Sequence, residues 1–169
     1  MKIKTLRFAF LAGFLLTLLM MAVAFFMQYY MQLEPCPLCI AQRVVVIALG
    51  IVFLIAFLHN PQTWGIRVYG LLITLLSVLA YVVAGRHTWL QHLPEDQIPE
   101  CGPGLEYWMH HLPANEVVQK VFQGTGDCAA VVFSFLGLSI PEWSLIAFVP
   151  FLLFGLKVLV IKANNSGEE

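Results

Sequence analysis

Residues 8–31 read FAFLAGFLLTLLMMAVAFFMQYYM, and this stretch determines the class of the protein. Gln28 is its only strongly polar residue. A helix needs about 20 apolar residues to cross the hydrocarbon core of a bilayer, so the stretch predicts a membrane span. Lys2 to Arg7 and the small residues 22–24 also resemble a cleaved signal peptide. The apolar run continues to Tyr30, which favours an uncleaved span.

Three further apolar segments predict spans along the same chain. The sequence of 169 residues is 60% hydrophobic and only 11% charged, whereas soluble domains carry about 25% charged residues. The 9 Lys and Arg residues are scattered, so nothing indicates a nucleic-acid partner. We expect one membrane domain, residues 1–169, folded as an all-α antiparallel bundle of four transmembrane helices in the lipid bilayer. The predicted spans are residues 8–31, 40–58, 65–84 and 143–161.

Residues 85–142 form a long segment that is too polar and too rich in proline to span a membrane. Within it, apolar residues recur at helical spacing and polar residues fill the opposite face. This pattern predicts a short amphipathic surface helix. The apolar positions are Val117, Val118, Val121 and Phe122, and the polar ones are Glu116, Gln119 and Lys120.

The distribution of positive charge predicts the orientation, because cytoplasmic loops carry an excess of Lys and Arg. One side has Lys2, Lys4, Arg7, Arg67, Lys157 and Lys162; the other has Arg43, Arg86 and Lys120 spread over more residues. Both termini are therefore expected in the cytoplasm. The loops at residues 32–39 and 85–142 then face an oxidising compartment, the periplasm outside a bacterial inner membrane.

Four cysteines lie outside the apolar runs. Cys36 and Cys39 precede the second run, whereas Cys101 and Cys128 lie in the long loop. Two pairs of thiols at one membrane face indicate a relay of electrons by thiol–disulfide exchange. Four cysteines allow three pairings, and the sequence alone does not choose among them.

The motif Cys36-Pro37-Leu38-Cys39 predicts a helix start, because proline at the first helical position is preorganised for it. The backbone amides there favour a Cys39 thiolate. Arg43 follows four residues later on the same helical face and adds a positive charge near that sulfur. Arg43 as a plain interfacial anchor is the alternative.

Other interpretations of the cysteines stay open at this point. The first pair also fits half of a zinc site or a static disulfide, and Cys101 with Cys128 also fits a structural crosslink. A second Cys-x-x-Cys is missing from the sequence, and the His110-His111 pair has no supporting ligand at useful spacing. We therefore predict no metal site. His87 is expected to begin the loop after the third span.

Several motifs together resemble the DsbB family of bacterial disulfide bond formation proteins. They cover nearly the whole chain, and their combination is specific where Cys-x-x-Cys alone is not. The motifs are Cys36-x-x-Cys39 with Arg43, Arg86-His87-Thr88, Val121-Phe122, Gly126-Asp127-Cys128, Phe135-Leu136-Gly137-Leu138, and Pro141-x-Trp143.

The resemblance implies a quinone-dependent disulfide oxidase that reoxidises a periplasmic DsbA-like thiol oxidase. It implies that a partner thiolate attacks Cys101 of a Cys101–Cys128 disulfide and that the released Cys128 can pair with Cys36. Cys39 then passes two electrons to ubiquinone or menaquinone from the membrane quinone pool. Arg43 and His87 are expected to bind the quinone.

Three rival functions deserve comparison. A membrane scaffold with two structural disulfides leaves the position of Arg43 unexplained. In the vitamin-K-epoxide-reductase-like family the Cys-x-x-Cys belongs to the last helices, whereas here it follows the first. A transporter needs more helices and charged residues within them. We therefore expect the oxidase.

Overall fold

A computed structural model of the chain describes residues 3–160. Seven α-helices account for most of them, together with a short 3-10 turn and a small hairpin. The helices are α1 (Ile3–Tyr29), α2 (Pro37–His59), α3 (Thr63–Gln91), α4 (Leu105–His111), α5 (Ala114–Gln123), α6 (Gly126–Ala129) and α7 (Ile140–Val160). The 3-10 turn is Glu95–Gln97, and the antiparallel strands are β1 (Ser134–Phe135) and β2 (Leu138–Ser139).

Four of these helices, α1, α2, α3 and α7, are long and apolar enough to cross a membrane. The predicted fold class is confirmed: an all-α bundle of four membrane helices with a short amphipathic helix in the loop at residues 85–142. That helix is α5, on which Val117 and Val121 are half-buried while Val118 and Phe122 are exposed. Lys2, Lys162, the tail at 163–169 and the end of the fourth predicted span at Ile161 lie outside the described residues.

The third helix differs from its prediction in a way that matters for function. It continues seven residues past the predicted end at 84 and stops at Gln91. Gly85 and the polar residues after it lower the hydropathy, but they do not break a helix, and the first proline comes only at Pro94. The prediction that His87 begins a loop is therefore wrong, because His87 lies on the last turns of α3.

The bundle core is aromatic. Phe10 of α1 packs at 6.4 Å from the Phe53 ring of α2 and at 5.6 Å from the Phe154 ring of α7. Phe53 in turn lies 5.6 Å from Phe151. Such tilted and edge-to-face pairs add to the packing energy of the area that they bury. They join α1, α2 and α7 in the half of the bundle away from the cysteines.

Helices α3 and α7 pack closely because small residues line their contact. Gly155 of α7 is buried against Thr74 of α3, and Gly70 of α3 is buried against Val158. A Cβ on Gly155 would lie 2.6 Å from the Thr74 hydroxyl oxygen and 2.9 Å from its backbone nitrogen. Small residues at such crossings let the two backbones approach each other within a membrane.

Substituting Gly155 by alanine should separate α3 from α7 and lower the stability of the chain in detergent by roughly 1–3 kcal/mol, the usual cost of overpacking. Gly85→Ala is the matched control, since a Cβ on Gly85 has no contact within 4 Å. Thermal unfolding should give a lower midpoint for Gly155→Ala and an unchanged or higher one for Gly85→Ala. Equal midpoints for the two variants would contradict the close packing.

Candidate redox site

The first turn of α2 places two sulfurs at one end of the bundle. Cys36 is the N-cap residue, with φ −67° and ψ 164°, and Pro37 occupies the first helical position. The Cys36 Sγ accepts the backbone N–H of Cys39 at 3.4 Å, and the two sulfurs lie 2.9 Å apart. A side-chain acceptor at this position satisfies one of the amides that a helix start leaves without a partner. The structure confirms the predicted helix start at the Cys-x-x-Cys motif.

Helix α6 brings a third sulfur to the same place. Cys128 is fully buried beside Leu38 and Leu90, and Cys36 packs against the same cluster. The neighbouring sulfurs of Cys128 and Cys39, together with burial, raise the pKa of the Cys36 thiol far above its usual range. Cys36, with donors from Thr125 and the Leu38 backbone, lowers the pKa of Cys128 to about 6. The thiolate form is therefore favoured at Cys128 and disfavoured at Cys36.

Cys101 lies apart from the other sulfurs, on the solvent side of α6. It is exposed, and its Sγ packs over Gly126, where an added Cβ would meet it at 2.9 Å. The Gly126 N–H donates to the carbonyl of Glu100 at 3.3 Å, which fixes this loop against α6. The neighbouring Asp127 carboxylate raises the pKa of the Cys101 thiol by accepting its hydrogen bond and by its negative charge. All four cysteines are free thiols.

His87 reaches the first turn of α2 from α3. Its Nε2 lies 3.7 Å from the Cys36 Sγ, and its Nδ1 lies 3.5 Å from the side-chain nitrogen of Gln42. His87 and Gln42 are both buried. A buried imidazole that is held on both nitrogens has one fixed orientation. The structure therefore places His87 against a sulfur, although the predicted loop position was wrong.

Arg43 extends from α2 toward α1. Its guanidinium donates to the side-chain oxygen of Gln28 and, at 3.2 Å, to the carbonyl of Ala24. It also lies 5.7 Å from the centre of the Phe25 ring. A guanidinium at the membrane edge is costly unless its donors are satisfied. Here α1 supplies these partners, and one of them is Gln28, the only strongly polar residue of the first apolar run.

A large apolar cavity opens beside Cys39 and Arg43. Its volume is about 510 Å³, and it lies between α1, α2, α7 and the β1–β2 hairpin. Trp143 and Phe148 of α7 are among its apolar walls. Sites for organic ligands typically have about 300–1,000 Å³ and apolar walls with few polar groups. Among residues 3–160, His87 is not one of those that line this cavity. It lies on the other side of Cys36.

Three contacts near the cysteines were not singled out by sequence reasoning. They are the bond of Gln28 to Arg43, the contact of Gln42 with His87, and the position of Asp127 beside Cys101. Arg86 adds a fourth, since it donates to the carbonyls of Phe122 and Gln123 at 3.1 and 3.0 Å and so ties the end of α5 to α3. The sequence offered one signal for these contacts, a strongly polar residue within an apolar run, and that residue is Gln28.

Comparisons with known proteins agree with this geometry. The family model for disulfide bond formation protein DsbB matches residues 6–158. The chain belongs to the DsbB family. Relatives named disulfide bond formation protein B include one from Nitrosococcus oceani, 51% identical over 86% of this chain and 86% of its own. Others are from Marinobacter nauticus (49% identical; 92% and 93%) and Acinetobacter baumannii (51%; 79% and 78%).

Membership of the DsbB family confirms the predicted activity, that of a quinone-coupled disulfide oxidoreductase of the membrane. The arrangement of sulfurs suits this chemistry. In any disulfide between Cys101 and Cys128, the sulfur with the lower thiol pKa is the better leaving group. That sulfur is Cys128, whose thiol pKa is lowered, whereas Cys101 is the exposed sulfur.

Replacing Asp127 by asparagine should lower the pKa of the Cys101 thiol, because the carboxylate beside it disfavours the thiolate. Cys101 of the reduced protein should then react severalfold faster with iodoacetamide near neutral pH. Mass spectrometry of the Cys101 peptide across a pH series measures this rate. Asp96→Asn removes an exposed charge elsewhere in the same loop and should leave the rate unchanged; equal rates for the two variants would disprove the role of Asp127.

Proposed function

We propose that a DsbA-like thioredoxin-fold oxidase delivers its electrons at Cys101. Its thiolate bonds to the Cys101 sulfur, the Cys101–Cys128 bond breaks, and Cys128 leaves as a thiolate. The exposure of Cys101 and the lowered pKa of Cys128 support this direction of attack. The partner's second thiol then displaces Cys101 from the mixed disulfide, so that the partner leaves in its oxidised form.

The transfer between the two cysteine pairs passes through Cys36. The Cys128 thiolate attacks the Cys36 sulfur of the Cys36–Cys39 disulfide, which forms a Cys36–Cys128 bond and releases Cys39 as a thiolate. The Cys101 thiolate then attacks Cys128, which restores the Cys101–Cys128 disulfide and frees Cys36. Two electrons now reside on Cys36 and Cys39. The packing of Cys36 against the buried cluster that contains Cys128 is the observation that carries this proposal.

The apolar cavity beside Cys39 suits a membrane quinone in volume and polarity. We assign Cys39 and Arg43 to that site. A bound quinone supplies the high-potential acceptor that takes two electrons and two protons from the Cys36–Cys39 dithiol. The Arg43 guanidinium, held by α1, places a fixed positive charge where negative charge develops. That His87 binds the quinone stays a prediction, and its ring lies against Cys36 instead.

The same site serves either ubiquinone or menaquinone, because its walls recognise an apolar ring and the cavity lies among membrane helices. We further propose a bacterial inner-membrane location with both termini in the cytoplasm and the cysteine segments in the periplasm. The modest excess of Lys and Arg at the termini supports this orientation. It also places the thiols where disulfides persist.

Quinone consumption by the purified chain tests the function directly. The chain in detergent is mixed with a reduced DsbA-like oxidase and with ubiquinone or menaquinone, and quinone absorbance is followed. We expect turnover by the unchanged chain and none by Cys39→Ser, because that variant lacks the sulfur at the quinone cavity. A reduced partner that keeps only its attacking cysteine should accumulate on Cys101 of the oxidised, unchanged chain as a mixed disulfide that gels detect without reductant, because no second thiol then displaces Cys101.

Two outcomes would contradict the proposal. Turnover that persists in Cys39→Ser would place the electron exit elsewhere. An unchanged chain whose disulfides stay intact with a competent partner would favour the membrane scaffold with two structural disulfides.

Arg43→Ala should raise the KM for quinone roughly ten- to a hundredfold, since a hydrogen bond from a charged group contributes about 1.5–3 kcal/mol. Mixed-disulfide formation at Cys101 should be unaffected, because Arg43 contacts α1 and the quinone cavity instead. The matched control is Arg67→Ala, on an exposed position near the start of α3. A KM that is unchanged in Arg43→Ala would reduce Arg43 to an interfacial anchor.

A further inference from the structure

A second, smaller cavity lies on the other side of the first turn of α2. Its volume is about 40 Å³, the size of a single ion or water molecule. Cys36, Cys39 and His87 line it, and one ligand atom from each lies within 4.8 Å of the others. Two thiols and an imidazole are the ligands that zinc prefers. The proposed electron path uses the sulfurs but gives this polar cavity no occupant.

The sequence predicted no metal site, but the structure brings Cys36, Cys39 and His87 together. We propose that the reduced chain binds one zinc-like divalent cation in this cavity, through the sulfurs of Cys36 and Cys39 and Nε2 of His87. The ion displaces the protons of the two thiols and changes no oxidation state. Water or the nearby Cys128 sulfur completes a tetrahedron. In the oxidised chain, a Cys36–Cys39 disulfide offers no thiolate, so the site exists only after electrons have arrived.

The distances suit tetrahedral coordination. Zinc bonds of about 2.3 Å to sulfur and about 2.0 Å to nitrogen put a sulfur and a nitrogen ligand about 3.6 Å apart and two sulfurs about 3.8 Å apart. The Cys36 Sγ and the His87 Nε2 lie 3.7 Å apart, which matches. The two sulfurs lie 2.9 Å apart, so the Cys39 side chain must turn outward by less than an ångström. The open cavity beside both sulfurs leaves room for this shift.

The walls of the cavity are arranged for a cation. Glu34 and Asp127 are among the residues that line it. Gln91 also lines it, and its side-chain oxygen is buried with no hydrogen-bond partner among residues 3–160. A buried amide oxygen without a partner is costly, and an ion with its bound water would satisfy it. Two acidic residues beside the cavity favour a cation over an anion.

Gln42 holds the histidine in the orientation that coordination needs. Its side-chain amide lies 3.5 Å from Nδ1, on the far side of the ring from the cavity. When Nε2 binds a metal, the proton resides on Nδ1, and the Gln42 amide accepts it through its oxygen after a turn about the last side-chain bond. Metal-binding histidines generally have such a partner on the second nitrogen.

Bound zinc would arrest the chain in its reduced form, because the ion occupies Cys39, the sulfur that faces the quinone cavity. This inhibitory consequence rests on the proposed function. The binding itself does not, and it is measured without a partner or a quinone.

Equilibrium dialysis of Zn²⁺ against the reduced and the oxidised chain in detergent tests the binding. We expect one equivalent on the reduced chain and none on the oxidised chain. Co²⁺ in place of Zn²⁺ should give the visible absorption of a tetrahedral site with thiolate ligands. His87→Ala should weaken zinc binding by about tenfold or more, the scale reported for losses around metal sites. His92→Ala removes an exposed histidine near the same end of α3 and should leave the affinity unchanged.

Equal affinity in His87→Ala and the unchanged chain would reduce the site to a simple dithiol chelate and overturn the proposal. Should His87→Ala fail to fold, the unchanged chain still decides. Zn²⁺ should protect Cys36 and Cys39 from alkylation and leave the exposed Cys101 reactive. Equal protection of all three, or of none, would also overturn it. If the chain binds zinc but does not reduce quinone when zinc is absent, the result supports this site and rejects the proposed function.

Discussion

The start of α2 is the constraint on which the rest of the site depends. Pro37 sets the first helical residue, and the Cys36 sulfur accepts the Cys39 amide, so both sulfurs lie within one helical turn. In a membrane, backbone groups must be paired within helices, and unpaired amides are tolerated only at helix ends. Polar chemistry is therefore confined to such ends. The start of α2 meets the end of α3, which brings His87 to the same point.

Much of the fold follows from the sequence because a bilayer imposes simple rules. Apolar length alone predicts four helices, and the proline-containing cysteine motif predicts where α2 begins. The end of α3 could not be predicted by the same rule. Residues 85–91 are more polar than the apolar run before them, yet they continue the same helix because no proline interrupts it. The hairpin at residues 134–139 was equally hidden, since strands of two residues leave no periodic pattern.

The site was predictable in its residue types but only partly in its contacts. Four cysteines, Arg43 and His87 were recognisable from motifs. The family resemblance implied that Cys128 can pair with Cys36, but the residues alone did not choose among the pairings. The position of Cys128 depends on how α6 packs against Leu38 and Leu90, which are far away in sequence. The roles of Gln28 and Gln42 are similar: each is an ordinary polar residue until a neighbouring helix places a charge or a ring beside it.

The two cavities fit the proposed use of two pairs of cysteines. Thiol exchange requires a polar approach for a partner's sulfur, whereas a quinone requires an apolar approach from the bilayer. One surface cannot offer both. The first turn of α2 separates a small polar cavity from a large apolar one, and Cys39 is the one sulfur that lines both. Cys36 lines only the small cavity, so in the proposed electron path Cys39 is the sulfur that faces the apolar side. The first turn of α2 therefore separates the two cavities and, through Cys39, also connects them.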